Sequence, residues 1–179
     1  KKETSLGRQH ITWGSPKTDA PVRVEDGFLR SRGLGAALVR PLSLIVDDIG
    51  LYFDPTRPSK LETLIAARAQ MPAHAQLRIE HLIADLNASK LSKYNVGAGC
   101  PPLPEGHKIL VAGQVEDDAS IKLGAGDINT NHALLMAARA ANPNAIIVFK
   151  PHPDVEAGLR RGKVKNVSDL ADVIAQDAD

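Results

Sequence analysis

The chain has 179 residues, with 22 Lys and Arg against 21 Asp and Glu, a formal net charge of +1 and 43% hydrophobic residues. This balance excludes wholesale disorder and the basic footprint of a nucleic-acid binder, and no apolar run approaches the ~18 residues of a membrane span. Aromatic residues are 3% of the chain, so the core must be built from Leu, Ile, Val and Ala, which suits helices packed on a parallel sheet better than a β-sandwich.

The polar start Lys1-Lys2-Glu3-Thr4 lacks the apolar stretch of a signal peptide. Cys100 is the only cysteine, which leaves no internal disulfide and no cysteine zinc site. Both point to a reducing, cytoplasmic setting. The first residue is Lys rather than Met, and a chain trimmed at one or both ends is expected.

His10–Trp13 reads as a short strand, and Pro21–Val24 as a second one stopped by Glu25-Asp26-Gly27. Gly27–Gly35 is loop-like. Leu42–Val46 is a strand ended by Asp47-Asp48, with Leu51-Tyr52-Phe53 expected to pair with it across a turn at Gly50. Ser59-Lys60-Leu61-Glu62 has the spacing of a capping box, and Leu61, Leu64 and Ile65 then mark one buried helix face. A second helix starts at Pro72, with Leu82, Ile83 and Leu86 on its apolar stripe. Asn95–Gly106 holds three Gly and three Pro in twelve residues, the composition of a linker between domains. Behind it Lys108–Ala112 and Ala145–Phe149 are strands flanking a helix over Thr130–Ala141, a βαβ unit expected to be parallel and right-handed. Ser168 is placed to cap a last helix, Asp169–Ala175. The pattern predicts an α/β chain in two lobes, 1–94 and 108–179, joined by a linker over 95–107.

Ligands of open α/β sheets bind outside the carboxyl ends of the strands. That rule selects Glu25-Asp26, Asp47-Asp48, Gly113–Asp118 and Lys150–Asp154. Asp47-Asp48 is expected to end a strand rather than to bind a sugar hydroxyl. Glu116, Asp117 and Asp118 are consecutive acids. They are either solvated, with Asp117 or Asp118 capping a helix, or they supply a nucleophilic or general-base carboxylate in a cleft. His152 sits between two prolines, which fix the local backbone. Lys150 and His152 face one side if the strand continues, and suit a phosphate or carboxylate ligand; the alternative is a rigid surface turn. His74 and His81 lack metal spacing, and a His152–Asp154 metal pair is a weak option. Gly124-Ala125-Gly126 before a helix is a weak candidate phosphate cradle.

Several strings taken together resemble the capsule polysaccharide biosynthesis family. They are Glu25–Ser31, Pro41–Asp48, Ser92–Asn95, Gly113–Ile121 and Lys150–Val155. The resemblance is to its KpsC-type, LipA-like capsule export members, and it covers nearly all of the chain from about Trp13. The resemblance implies two Rossmann-like lobes of the GT-B architecture and a retaining β-Kdo glycosyltransferase. Its implied substrates are CMP-Kdo as donor and a Kdo acceptor linked to phosphatidylglycerol. It implies no cofactor, a cytoplasmic enzyme peripheral to the inner membrane face, and capsule assembly and export proteins as partners. It also implies residue roles. Asp118, the aspartate of a Gln-x-x-x-Asp motif beginning at Gln114, is the expected nucleophile. His152 of the His-Pro motif, with Lys150, is expected at the donor phosphate. Glu25-Asp26-Gly27 is similar to a motif of CMP-sialic acid transferases that implies a general base, Asp26, and the surrounding string implies substrate contacts for Glu25 and Arg30.

Family modules continue beyond the His-Pro motif into a Ser/Thr-Ser-x-x-Gly-Phe-Glu-Ala segment and a Trp-Gly-rich segment, and neither occurs here. The expectation is a second lobe cut roughly in half, in a piece inactive by itself. Two other functions compete: a non-catalytic assembly or export-interaction module, and a metal phosphoesterase built on Asp117, Asp118 and His152.

Overall fold

The computed structural model describes residues 11–14, 22–94 and 101–175. His10, Pro21 and the first half of the expected linker, 95–100, lie outside the described residues. The fold is mixed α/β. The chain divides into two compact units, one made of Lys1–Ser31 with Pro41–Lys93, the other of Arg32–Arg40 with Tyr94–Asp179. Residues 32–40, read from sequence as part of the first lobe, therefore group with the second unit.

In the first unit, strands β1 (Ile11–Trp13), β2 (Val22–Asp26) and β3 (Leu44–Asp47) form one sheet. β1 lies parallel to β2, and β2 antiparallel to β3, with Val24 opposite Val46 and Asp26 opposite Leu44. β2 thus runs through Glu25 and Asp26 instead of stopping before them. Leu51-Tyr52-Phe53 is not a strand. Asp47 turns the chain there: its Oδ1 accepts the N–H groups of Ile49 and Gly50, both at 2.8 Å. The Asp54 N–H then closes onto the Leu51 carbonyl, and Leu51 is buried. Helix α1 (Lys60–Ala66) begins with the expected capping box, the Ser59 side chain accepting from the Glu62 N–H and the Glu62 carboxylate accepting from the Ser59 N–H.

Helix α2 (Ala73–Ala88) starts after Pro72 as expected. The buried faces assigned to these two helices are not buried. Leu64, Ile65, Leu82 and Ile83 are each about half exposed or more, and neither helix contains a buried residue. The 3.6-residue period identifies which side of a helix is apolar; it does not supply the surface that covers it.

In the second unit, β4 (Lys108–Ala112), β5 (Ile146–Lys150) and β6 (Val173–Ile174) form an all-parallel sheet in that order. Between β4 and β5 lie α3 (Ala119–Gly124) and α4 (Asn131–Ala141), and α5 (Pro153–Glu156) follows β5. Leu135 of α4 packs on Val111, Ile147, Phe149 and Ala171. Leu135 and Ile147 are fully buried, and each such side chain contributes roughly 1.5–3 kcal/mol relative to exposure. Among the described residues Phe149 is the one aromatic ring of this core cluster.

The helix expected over Asp169–Ala175 does not form. A 3-10 turn covers Val167–Asp169, and Val173-Ile174 becomes a strand. The Asp172 N–H donates to the Ile147 carbonyl and the Ala175 N–H to that of Phe149. Leu-Ala-Asp-Val-Ile fits either state by pattern, and the open edge of β5 decides it. No helix among the described residues is long and apolar enough to cross a membrane.

Candidate active site

In the first unit Asp26 is the last residue of β2. Arg30 Nε donates to Asp26 Oδ2 at 2.6 Å, and Arg30 Nη1 donates to Ser31 Oγ at 3.0 Å. Arg30 and Ser31 are both buried. Arg30, expected to touch substrate, therefore has its guanidinium committed to holding Asp26. The second oxygen, Asp26 Oδ1, is buried without a hydrogen-bond partner. Glu25 Oε2 accepts the Asp26 N–H at 3.4 Å. Asp47, with one oxygen on the turn and the other accepting the Lys60 N–H at 2.9 Å, has the structural role expected of it.

In the second unit the two strand-end loops leave neighbouring parallel strands together. The Gly113 N–H donates to the Lys150 carbonyl at 2.7 Å. A Cβ on Gly113 would stand 3.1 Å from Pro151 Cα and from Phe149 Cζ, so the close approach selects glycine. The loops bearing Asp118 and His152 thus start side by side at the carboxyl end of the sheet.

Each of the three consecutive acids has its own partner, which relieves their repulsion. Glu116 Oε1 accepts the Asn131 N–H at 2.8 Å, at the start of α4. Asp117 Oδ1 lies 3.2 Å from Arg160 Nη2. Asp118 is the N-cap of α3, its Oδ2 accepting from the Ser120 N–H at 3.1 Å and the Ser120 hydroxyl at 2.6 Å. Among the described residues Asp118 Oδ1 makes no hydrogen bond, and the side chain is partly exposed. One oxygen is locked and the other is open.

The strand does not run on to His152, so Lys150 and His152 do not share a strand face. Lys150 ends β5, and His152 is the N-cap of α5. His152 Nδ1 accepts the Asp154 N–H at 3.2 Å. A ring accepting there is neutral and carries its proton on Nε2. Tyr94 meets the ring edge-on, with centroids 5.9 Å apart. Asp154 is buried, with Oδ1 unpartnered and Oδ2 4.0 Å from His152 Nδ1. Gln114 is exposed and its Nε2 turns back to the Ala112 carbonyl at 3.2 Å.

Gly124-Ala125-Gly126 is not a phosphate cradle at a helix start. Gly124 ends α3, and α4 is capped by Thr130. An open cavity of about 580 Å³ is lined by His132, Lys163, Lys165 and Asp169 over Val164 and Leu170, and it contains none of the residues singled out from sequence. Among the described residues no group of three or more His, Cys, Asp or Glu could hold a metal ion.

Residues that the sequence reading missed tie this region together. Asn131 is 3% exposed. Its Nδ2 donates to the carbonyls of Gln114 (2.8 Å) and Gly162 (2.7 Å), and its Oδ1 accepts the Gln114 N–H (2.7 Å). A usable signal was an asparagine at the first helical position directly behind a Thr cap, together with a glycine in the basic run Arg160-Arg161-Gly162-Lys163.

The family model described as "Capsule polysaccharide biosynthesis protein" matches residues 16–98 and 103–177. The chain belongs to this capsule polysaccharide biosynthesis family.

Relatives in the family bear out the resemblance. The chain is 44% identical over 172 residues to the lipopolysaccharide-processing protein LpsZ of Rhizobium meliloti, covering 91% of this chain and 39% of that protein. It is 43% identical over 164 residues to the capsule polysaccharide modification protein LipA of Neisseria meningitidis serogroup B, covering 88% and 23%. Among solved structures it is similar to the Thermosulfurimonas dismutans KpsC beta Kdo 2,4 transferase, with TM-score 0.75 and 33% identity, covering 93% of this chain and 56% of that one. The KpsC beta Kdo 2,7 transferase of the same organism gives TM-score 0.66 and 35% identity over 92% and 51%. The chain therefore spans well under half of these curated relatives and about half of the solved chains.

Proposed function

We propose that this chain is part of a KpsC-like glycosyltransferase of capsule polysaccharide biosynthesis that moves Kdo from CMP-Kdo to a lipid-linked Kdo acceptor with retention of configuration. The observation that carries the chemistry is the carboxylate of Asp118 at the N-cap of α3, beyond the carboxyl end of β4, clamped through Oδ2 by Ser120 and open at Oδ1. Likeness to two solved Kdo transferases supports the sugar.

In this reading Asp118 Oδ1 attacks the anomeric carbon as the bond to the CMP phosphate oxygen breaks, and CMP leaves with that electron pair. The product is a sugar ester of Asp118. The acceptor hydroxyl then attacks the same carbon, the carboxylate leaves, and the hydroxyl proton passes to water. Two inversions retain the configuration. The Nε2–H of a neutral His152 and the ammonium of Lys150 stabilise the leaving phosphate, and Gln114 belongs to the substrate-binding set. GT-B architecture and action at the cytoplasmic face of the inner membrane belong to the same reading.

The half-exposed apolar faces of α1 and α2 favour a second reading, a non-catalytic module that docks on other capsule proteins. Donor binding separates the two. In the full-length natural protein CMP is expected to perturb the Lys150–Asp154 segment, and Asp118→Asn to abolish Kdo transfer while CMP still binds. No response of that segment to CMP, with normal transfer by Asp118→Asn, would overturn the glycosyltransferase reading of this site.

A further inference from the structure

Gln114 lies past the end of β4, where its backbone has no neighbouring strand to pair with. The Asn131 side-chain amide takes that place. It accepts the Gln114 N–H and donates to the Gln114 carbonyl, the exchange that two facing strand residues make with each other. Its second Nδ2 proton goes to the Gly162 carbonyl, so both donors and the acceptor oxygen are used inside a buried site. The amide can be oriented only one way, because reversing it would set its oxygen against two carbonyls and its nitrogen against an N–H. The Asn131 backbone N–H continues the tie to Glu116, and the Glu116 N–H donates to the Arg161 carbonyl at 3.1 Å. Gly162 has φ +138°, and a Cβ there would come within 2.6 Å of the Gln114 carbonyl oxygen and 2.7 Å of Asn131 Nδ2. Only glycine leaves room for the clamp.

We propose that Asn131 is a positioning residue. Held in place by the Gly162 carbonyl, its side-chain amide fixes the backbone of Gln114–Glu116 and through it the placement of the Asp118 carboxylate. This deepens the glycosyltransferase reading and rests on it for its catalytic consequence. The clamp itself is testable without that reading.

The experiment uses the full-length natural protein and two measurements. By hydrogen exchange with mass spectrometry, the Gln114 amide is expected to exchange slowly although it lies beyond the strand. Exchange should speed up at least about tenfold in Asn131→Asp, where an oxygen replaces the double donor, and in Gly162→Ala, which displaces the same pair from outside. In Kdo transfer well below the melting temperature, kcat per folded molecule should fall about 10²-fold in both variants, the scale of a reacting group misplaced by an ångström.

Arg139→Ala is the stability control, since it loosens α4 through Leu170, Ala145 and Asp172 without touching the loop. Its melting temperature should fall with kcat near wild type. If Asn131→Asp does not fold, Gly162→Ala and the wild-type exchange rate decide. Fast exchange of Gln114 in the wild type, or folded variants with normal kcat, would overturn the proposal. An active Asp118→Asn with slow Gln114 exchange would instead remove the catalytic reading and leave the clamp standing.

Discussion

Arg160 Nη2 lies 3.2 Å from Asp117 Oδ1 across 43 positions of chain, and this pairing gives two adjacent carboxylates different work. Asp117 faces a guanidinium, while Asp118 turns the other way to cap α3. Asp118→Asn should cost Kdo transfer by ~10³-fold or more, as for other covalent nucleophiles. Its melting temperature should hardly move, because asparagine caps a helix as well as aspartate does. Asp117→Asn removes an ion pair about one third exposed, worth about 0–1 kcal/mol, and should leave transfer nearly normal. Assays of CMP release and sugar transfer on both variants check this. Equal damage from the two would remove Asp118 from its role.

His152 combines a cap with a proposed ligand contact, and substitutions can separate them. His152→Asn keeps an acceptor for the Asp154 N–H and loses the Nε2–H. His152→Ala loses both. CMP affinity should fall by a similar amount in each, about tenfold for one lost hydrogen bond to a charged group. Only His152→Ala should also lower stability, by about 1 kcal/mol. CMP titration and melting curves on the pair give the answer, and unchanged affinity in His152→Asn would mean that His152 only caps.

Asp47 is buried and accepts three backbone N–H groups, those of Ile49, Gly50 and Lys60. Asp47→Ala should destabilise the first unit by about 2–4 kcal/mol, through donors left without an acceptor. Asp47→Asn should cost less because one oxygen stays. Ser59→Ala, which breaks the adjacent capping box, should cost about 1 kcal/mol. Urea unfolding followed by Trp13 fluorescence and by circular dichroism is the measurement.

Asp172 gives the second unit an acid-sensitive joint. Its Oδ2 accepts from Arg139 Nη2 at 2.6 Å and from the Ile147 N–H at 2.7 Å. The Arg139 hydrogen bond, reinforced by the Ile147 N–H, holds its carboxyl below the usual aspartate range. A carboxyl whose pKa is lower folded than unfolded stabilises the fold above the unfolded value, and loses that contribution as pH falls through the folded one. Stability of the second unit should therefore decline below about pH 4. Asp172→Asn should flatten that part of the curve. Melting temperatures across acidic buffers compare the two proteins, and identical acid limbs would exclude Asp172 as a contributor.

Local chemistry was legible in the sequence where both partners are neighbours. Ser59 and Glu62 are three apart and form the box that their spacing predicts, and β4 and β5 follow from dense β-branched runs. Long-range partners were not legible. Val173-Ile174 became a strand because β5 had an open edge, and Asp172 found Arg139 across 33 positions. The apolar sides of α1 and α2 were correctly located, but burial depends on a covering surface that no periodicity encodes. At the candidate site the strand-end rule and the motif strings singled out Asp118 and His152. They left helix capping open as the alternative for Asp118, which does cap α3, and did not disclose that His152 caps α5 or that Asn131 holds the loop, since an amide 17 positions from Gln114 leaves no local pattern.

The boundary between the two units is crossed by the chain three times, after Ser31, after Arg40 and after Lys93. The Gly33 N–H donates to the Tyr94 carbonyl at 2.8 Å, joining the early segment of the second unit to its main body. During synthesis that early segment leaves the ribosome with all of Pro41–Lys93 still to come, so the second unit cannot close until the first has been made. A polypeptide cut to begin at Tyr94 would keep the whole parallel sheet yet lack the residues that engage Tyr94, the ring that stands against His152.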